Sequence, residues 1–101
     1  MSTLLEKVEA IEKAGAGELA GQALGKLIHL HLQKYEKEIE VVRRELEPFE
    51  KQYGMSSEEC HRQFTKGELG DTPEIMEWIG LYDNALLYQE RIETLRAAAK
   101  S

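Results

Sequence analysis

The chain has 101 residues, 42% of them hydrophobic and 32% charged, with a formal net charge of −6. That is one small domain with enough apolar material to fold, which excludes wholesale disorder. The acidic balance excludes the basic face of a typical nucleic-acid binder, and a single cysteine, Cys60, excludes an internal disulfide.

Glu, Lys, Leu and Ala dominate, with only one Trp, four Tyr, two Phe and two Pro. This is a helical composition, and nothing in it suggests strands. No apolar run approaches the ~20 residues that span a bilayer. The opening MSTLLEKVEAIEK alternates apolar and charged positions, unlike a secretory signal. The expectation is a cytoplasmic, all-α protein forming a single domain over residues 1–101, with no membrane contact.

In chain order, TLLEKVEAIEKAG predicts a short helix with Leu4 or Leu5, Val8 and Ile11 on one side. Residues 1–25 form a glycine-rich N-terminal segment, in which Gly17, Gly21 and Gly25 recur every fourth residue. Each helical glycine costs about 1 kcal/mol relative to alanine. The segment therefore reads as a hinge or frayed helix start, ahead of a weak helix pressed against a neighbour.

A hairpin is expected over residues 26–101. Its first stripe is Ile28, Leu32, Tyr35, Ile39, Val42, Leu46, Phe49 and Tyr53, in alternating steps of four and three, the spacing of a coiled-coil seam. Around it the charges are interleaved. Glu40–Arg44 and Glu47–Lys51 sit at i,i+4, each contributing ~0.2–0.5 kcal/mol. That is a solvated face and not a basic stripe. Pro48 removes one helical hydrogen bond and crowds the Arg44 carbonyl, yet the heptad steps run through it. A kink near 44–47 is expected; the alternative is a break with Pro48 opening a new short helix.

The stretch YGMSSEECHRQFTKGELGDTPE, 53–74, holds Cys60, His61, five carboxylates and three glycines. Gly54 suits a helix C-cap. Ser56 with Glu59 fits a capping box, and Met55 with Cys60 the hydrophobic staple across it. A short helix over about 57–66 ends at Gly67. Thr72 then caps the last helix, with Pro73 at its first position and Glu74 in its first turn. That helix carries the second stripe, Trp78, Leu81, Ala85, Tyr88, Ile92, Leu95 and Ala99. Residues 28–53 and 75–99 span about 39 and 38 Å at 1.5 Å per residue, so an antiparallel hairpin buries both stripes.

The chemistry-bearing residues read as punctuation. Cys60 and His61 are adjacent, so on a helix they point about 100° apart, out of reach of a nucleophile–base pair. Glu58-x-x-His61 has di-iron spacing, but such a site needs a second motif and further carboxylates. His29 and His31 diverge, and zinc needs three or four convergent ligands. The expectation is no catalytic, cofactor-binding or metal-binding residue, no cofactor and no enzyme.

Apolar residues outside the seams include Leu27, Leu30, Val41, Ile75, Ile79, Tyr82, Leu86 and Leu87. A stripe this broad implies more than one packing neighbour. Leu27, Leu30, Ile79 and Leu86 are the candidate protein interface, and a homodimer closing into a bundle is expected in the absence of another partner.

YGMSS paired with GELGD, followed by Met-Glu-Trp and a tyrosine after a Lys-Tyr-Glu-rich heptad helix, resembles the small helical prokaryotic antitoxins of the TumA type. The resemblance covers about Leu24 to Leu95 and is densest between Tyr35 and Tyr82. It implies a TumE-type toxin as partner, neutralised by direct binding. Cys60 departs from the pattern, standing where an aromatic is expected. A homodimeric structural bundle is the alternative the heptads support on their own.

Overall fold

A computed structural model describes residues 2–100. It contains α1 (Leu4–Lys13), α2 (Gly17–Tyr53), α3 (Ser57–Thr65) and α4 (Pro73–Ala99), with no strand among the described residues. The protein is an all-α helical hairpin of two long helices, α2 and α4, bridged by the short α3 and preceded by α1.

Each boundary has a local cause. Thr3 Oγ1 accepts from Glu6 N–H at the start of α1, Ser56 Oγ from Glu59 N–H at the start of α3, and Thr72 Oγ1 from Ile75 N–H at the start of α4. Pro73 occupies the first turn of α4, where no hydrogen-bond donor is needed. The end of α1 was not expected so sharply. Gly15, at φ 87°, lets its own N–H bond to Glu12 O while Ala16 N–H bonds to Ile11 O, a paired closure that requires a left-handed residue. Gly54 closes α2 at φ 64°.

One expectation for α2 needs correction. From Gly17 onward the glycine-rich segment is regular helix, not a hinge or a frayed start. Helix begins at Gly17 and continues without interruption across residue 25, and a Cβ placed on Gly21 or Gly25 would meet nothing within 4 Å. Propagating a helix from an already packed section adds one hydrogen bond per residue fixed, with no new nucleation cost. That gain outweighs the glycine penalty. Of the two readings of Pro48 the continuing helix stands and the break does not, since α2 passes through it to Tyr53. Its side chain lies on an exposed position, while Leu46 and Phe49 on either side stay packed.

At 37 residues α2 alone is about 55 Å long, which accounts for the molecule's 58 × 25 × 21 Å extents. Phe49 and Tyr53 stack on Trp78, Tyr35 meets Tyr88, and Arg96 reaches Glu36. Numbers falling along α2 match numbers rising along α4, so the two run antiparallel. No residue of the first stripe is fully exposed, and Ile39, Val42 and Leu46 are buried. In the second stripe Trp78 and Ile92 are buried, and only Ala99 is exposed. The core thickens towards the connector, where Cys60 from α3 joins Val42, Leu46, Ile75, Trp78 and Ile79.

No described helix is long and apolar enough to cross a membrane.

Candidate protein-interaction surface

The closed end of the hairpin is organised around one tryptophan. Trp78 is fully buried, with ring centroids of Phe49 and Tyr53 at 5.7 and 5.3 Å. Its indole N–H needs an acceptor in this dry setting, and Ser57 Oγ supplies one at 2.8 Å. The same hydroxyl donates to Glu50 Oε2 at 2.8 Å, which also accepts from Ser57 N–H at 3.0 Å. One serine thus joins α2, α3 and α4. Glu50 also occupies the N-terminus of α3, whose free N–H groups and dipole favour a carboxylate. Tyr53 OH donates to Glu74 Oε2 at 2.9 Å, a bond that pushes the phenol's pKa up, with burial adding to it.

Composition and periodicity did not single out Ser57 or Glu50. The available signal was weak: two consecutive serines, of which one cap needs only one.

The capping box at Ser56 forms by half. The hydroxyl accepts from Glu59 N–H at 3.1 Å, but the Glu59 carboxylate binds Gln63 and Arg62 instead of reaching back. Gln63 first, then Arg62, hold the Glu59 pKa below the usual carboxylate range. Met55 and Cys60 belong to the same apolar cluster, as a staple requires.

Cys60 and His61 part company. The thiol is completely buried, and burial pushes its pKa up. A reactive cysteine has the reverse: a depressed pKa and access to solvent. His61 is half-buried against α4, its ring 5.4 Å from Tyr82 and its Nε2 3.3 Å from Asp83 Oδ1. His31 stacks against Tyr35 at 6.4 Å. Among the described residues, no group of three or more His, Cys, Asp or Glu is placed to hold a metal ion.

Of the four candidate interface residues, Leu27, Leu30 and Leu86 are exposed, whereas Ile79 is buried and must be withdrawn. It lies in the cluster that contains Cys60 and Trp78. The hairpin seam alone left Ile79 without a partner; α3, packed against α4, provides one. Ile75 is buried in the same cluster and Tyr82 is packed against it.

The three exposed leucines do not form one patch. Leu86 lines a groove of about 740 Å³ that runs on from the N-terminus of α3 between α2 and α4. Ile39, Leu46 and Ala85 contribute its apolar lining. Glu40, Glu47, Glu50 and Glu58 outnumber Arg43 and Arg44 among its lining residues, and Arg44 is already paired with Glu40 at 3.0 Å. Leu27 and Leu30 lie elsewhere, on the N-terminal part of α2. At 3.6 residues per turn they share the outward side of the helix with Val41, which lines a different groove beside Leu81 and Tyr88.

The N-terminal third is a second apolar region. Leu4, Leu5, Ile11, Leu19 and Leu24 are all exposed there with Leu27 and Leu30, and α1 buries no residue fully. Compared with protein-family models, with curated proteins and with solved structures, the chain finds no match in any of the three.

Proposed function

We propose that this chain is a non-enzymatic protein-interaction module, acting in the cytoplasm as an antitoxin that neutralises a partner toxin by direct binding. What carries the reading is apolar surface left open on a fold whose own seams are already filled. Leu27, Leu30, Leu86 and Leu87 remain 52%, 51%, 45% and 41% exposed. Single exposed leucines are ordinary, but Leu86 lines the groove beside α3 and Leu87 a second groove beside His31 and Tyr35, and open apolar side chains at shaped grooves suit a protein partner. The TumA-like pattern supplies the partner's class, a TumE-type toxin.

The groove beside α3 is the favoured seat. Its apolar lining and surplus of carboxylates suit an amphipathic element with basic flanks. Opposite charge would speed the encounter and make it sensitive to salt. The lack of a basic face argues against direct nucleic-acid binding as the main task.

The test is co-expression with the adjacent open reading frame. That gene's product should arrest growth alone, be neutralised by this chain and copurify with it. Leu86→Glu should weaken the complex at least tenfold, about 1.4 kcal/mol or more, while the free protein stays folded. A harmless neighbour, or one that kills equally well with this chain present, sinks the antitoxin reading. A self-associating structural module is the second reading, favoured by the length of α2 that α4 leaves uncovered.

A further inference from the structure

The seam of α2 outlasts its partner. The register set by Phe49 with Trp78 and by Glu36 with Arg96 brings the end of α4, Ala99, beside the turn holding Ile28 and Leu32. Both of those residues are half-buried, and one turn further back Leu24 is exposed. The face that carries the seam nevertheless continues towards the N-terminus as Leu24, Gly21 and Gly17, with Ala20 and Gly25 at its margins. Glu12 of α1 sits 3.5 Å from the position a Cβ would take on Gly17, whereas Gly21 and Gly25 have nothing within 4 Å. Of residues 18–27 all but the half-buried Ala20 are exposed, so about ten residues of helix present an open extension of a face that elsewhere seats a helix.

We infer that this extension seats a second copy of the chain, with the two α2 overhangs packed antiparallel about a two-fold axis between Gly21 and Leu24. The first ground is continuity. A helix entering on the line of α4, in the same direction as α4, runs antiparallel to α2, and the overhang of a second copy supplies such a helix. The second is self-complementarity, which an isologous contact requires. In this register Leu24 of each copy lies over Gly21 of the other, a large side chain over the gap left by a missing one, and Gly25 lies over Ala20.

The third ground is charge. Up to Leu30 the chain carries Lys7, Lys13 and Lys26 against Glu6, Glu9, Glu12 and Glu18, so this third holds only −1 of the net −6. The remaining −5 lies on the hairpin. A near-neutral surface meets its own copy with little repulsion. The closed ends, where the acid is concentrated, are held far apart.

The inference goes beyond the toxin reading and does not depend on it, because its test uses the chain alone. Two 58 Å molecules overlapping by ten residues, about 15 Å, give a dimer roughly 100 Å long. A side-by-side bundle of two hairpins would stay near 60 Å. Light scattering on the full chain, from about 1 µM to about 1 mM, should rise to about twice the 11.5 kDa chain mass. Small-angle scattering of that species should give the longer dimension. Leu24→Glu and Gly21→Leu should each return the mass to 11.5 kDa with helical circular dichroism kept. Gly21→Leu is the sharper probe, since leucine favours helix and has open space in the single chain. Leu86→Glu should leave the dimer intact. A monomer throughout the concentration range, a compact 60 Å dimer, or a dimer lost with Leu86→Glu and kept with Gly21→Leu would each overturn the inference.

Discussion

Removing the Ser57 hydroxyl should cost this protein a large share of its stability. Ser57 is 3% exposed and Trp78 fully buried, so Ser57→Ala leaves the indole N–H without its acceptor in a site largely closed to water. An orphaned buried donor costs about 1–3 kcal/mol. The hydroxyl's bond to the Glu50 carboxylate is also lost. Glu50 keeps the Ser57 N–H and is only half-buried, so that loss is near ~1 kcal/mol. Together the change amounts to about 2–4 kcal/mol, against a total near 5–15 kcal/mol for a domain of this size. The melting midpoint should fall by roughly 10–25 °C. Trp78 is the lone tryptophan, so urea unfolding followed by its fluorescence reads both stability and burial. Trp78→Phe removes the donor and leaves the Ser57–Glu50 bonds in place. In that background Ser57→Ala should cost less, with a coupling of about 1–2 kcal/mol. If Ser57→Ala costs under about 0.5 kcal/mol while Trp78 emission stays that of a buried indole, the assignment of Ser57 as the linchpin of three helices is wrong.

Other consequences are smaller or conditional. The Cys60 pKa is raised in the folded state, so its contribution to stability is complete below the ordinary thiol value of 9.0 and is lost as pH rises through the folded value. Urea midpoints should drop as pH rises above 9.0, with a shallower drop in Cys60→Ala, and a thiol reagent should label the native protein only as fast as it opens. Gly80 sits inside α4, exposed and with no atom near its missing Cβ; Gly80→Ala should stabilise by about 0.5–1 kcal/mol in thermal melts. Pro48→Ala restores an N–H in an exposed helix interior, and a gain of about 1–3 kcal/mol is expected, with no gain counting against a helical backbone there. The exposed Glu36–Arg96 pair should contribute under about 0.5 kcal/mol, so Arg96→Ala should barely move the midpoint.

The sequence by itself determined whatever repeats along one helix or sits at its ends. The alternation of four and three from Ile28 to Tyr53 and from Trp78 to Leu95 marks the buried faces of α2 and α4, because a helix returns the same face every seven residues whatever it packs against. Ser56, Thr72, Gly54 and Gly67 mark ends for an equally local reason: helix termini leave backbone groups unpaired, and nearby side chains or a left-handed residue satisfy them. Only the tertiary structure decided which side of the hairpin α3 covers. That choice buries Ile79, which the seam pattern had left outside, and brings Ser57, Glu50 and Trp78 into bonding distance from three helices. Residues 50 and 57 lie far from 78 in the chain, and no period links them. The overhang of α2 is likewise a difference between two helix lengths and a register, visible only once α4 is laid along α2 and found to stop short.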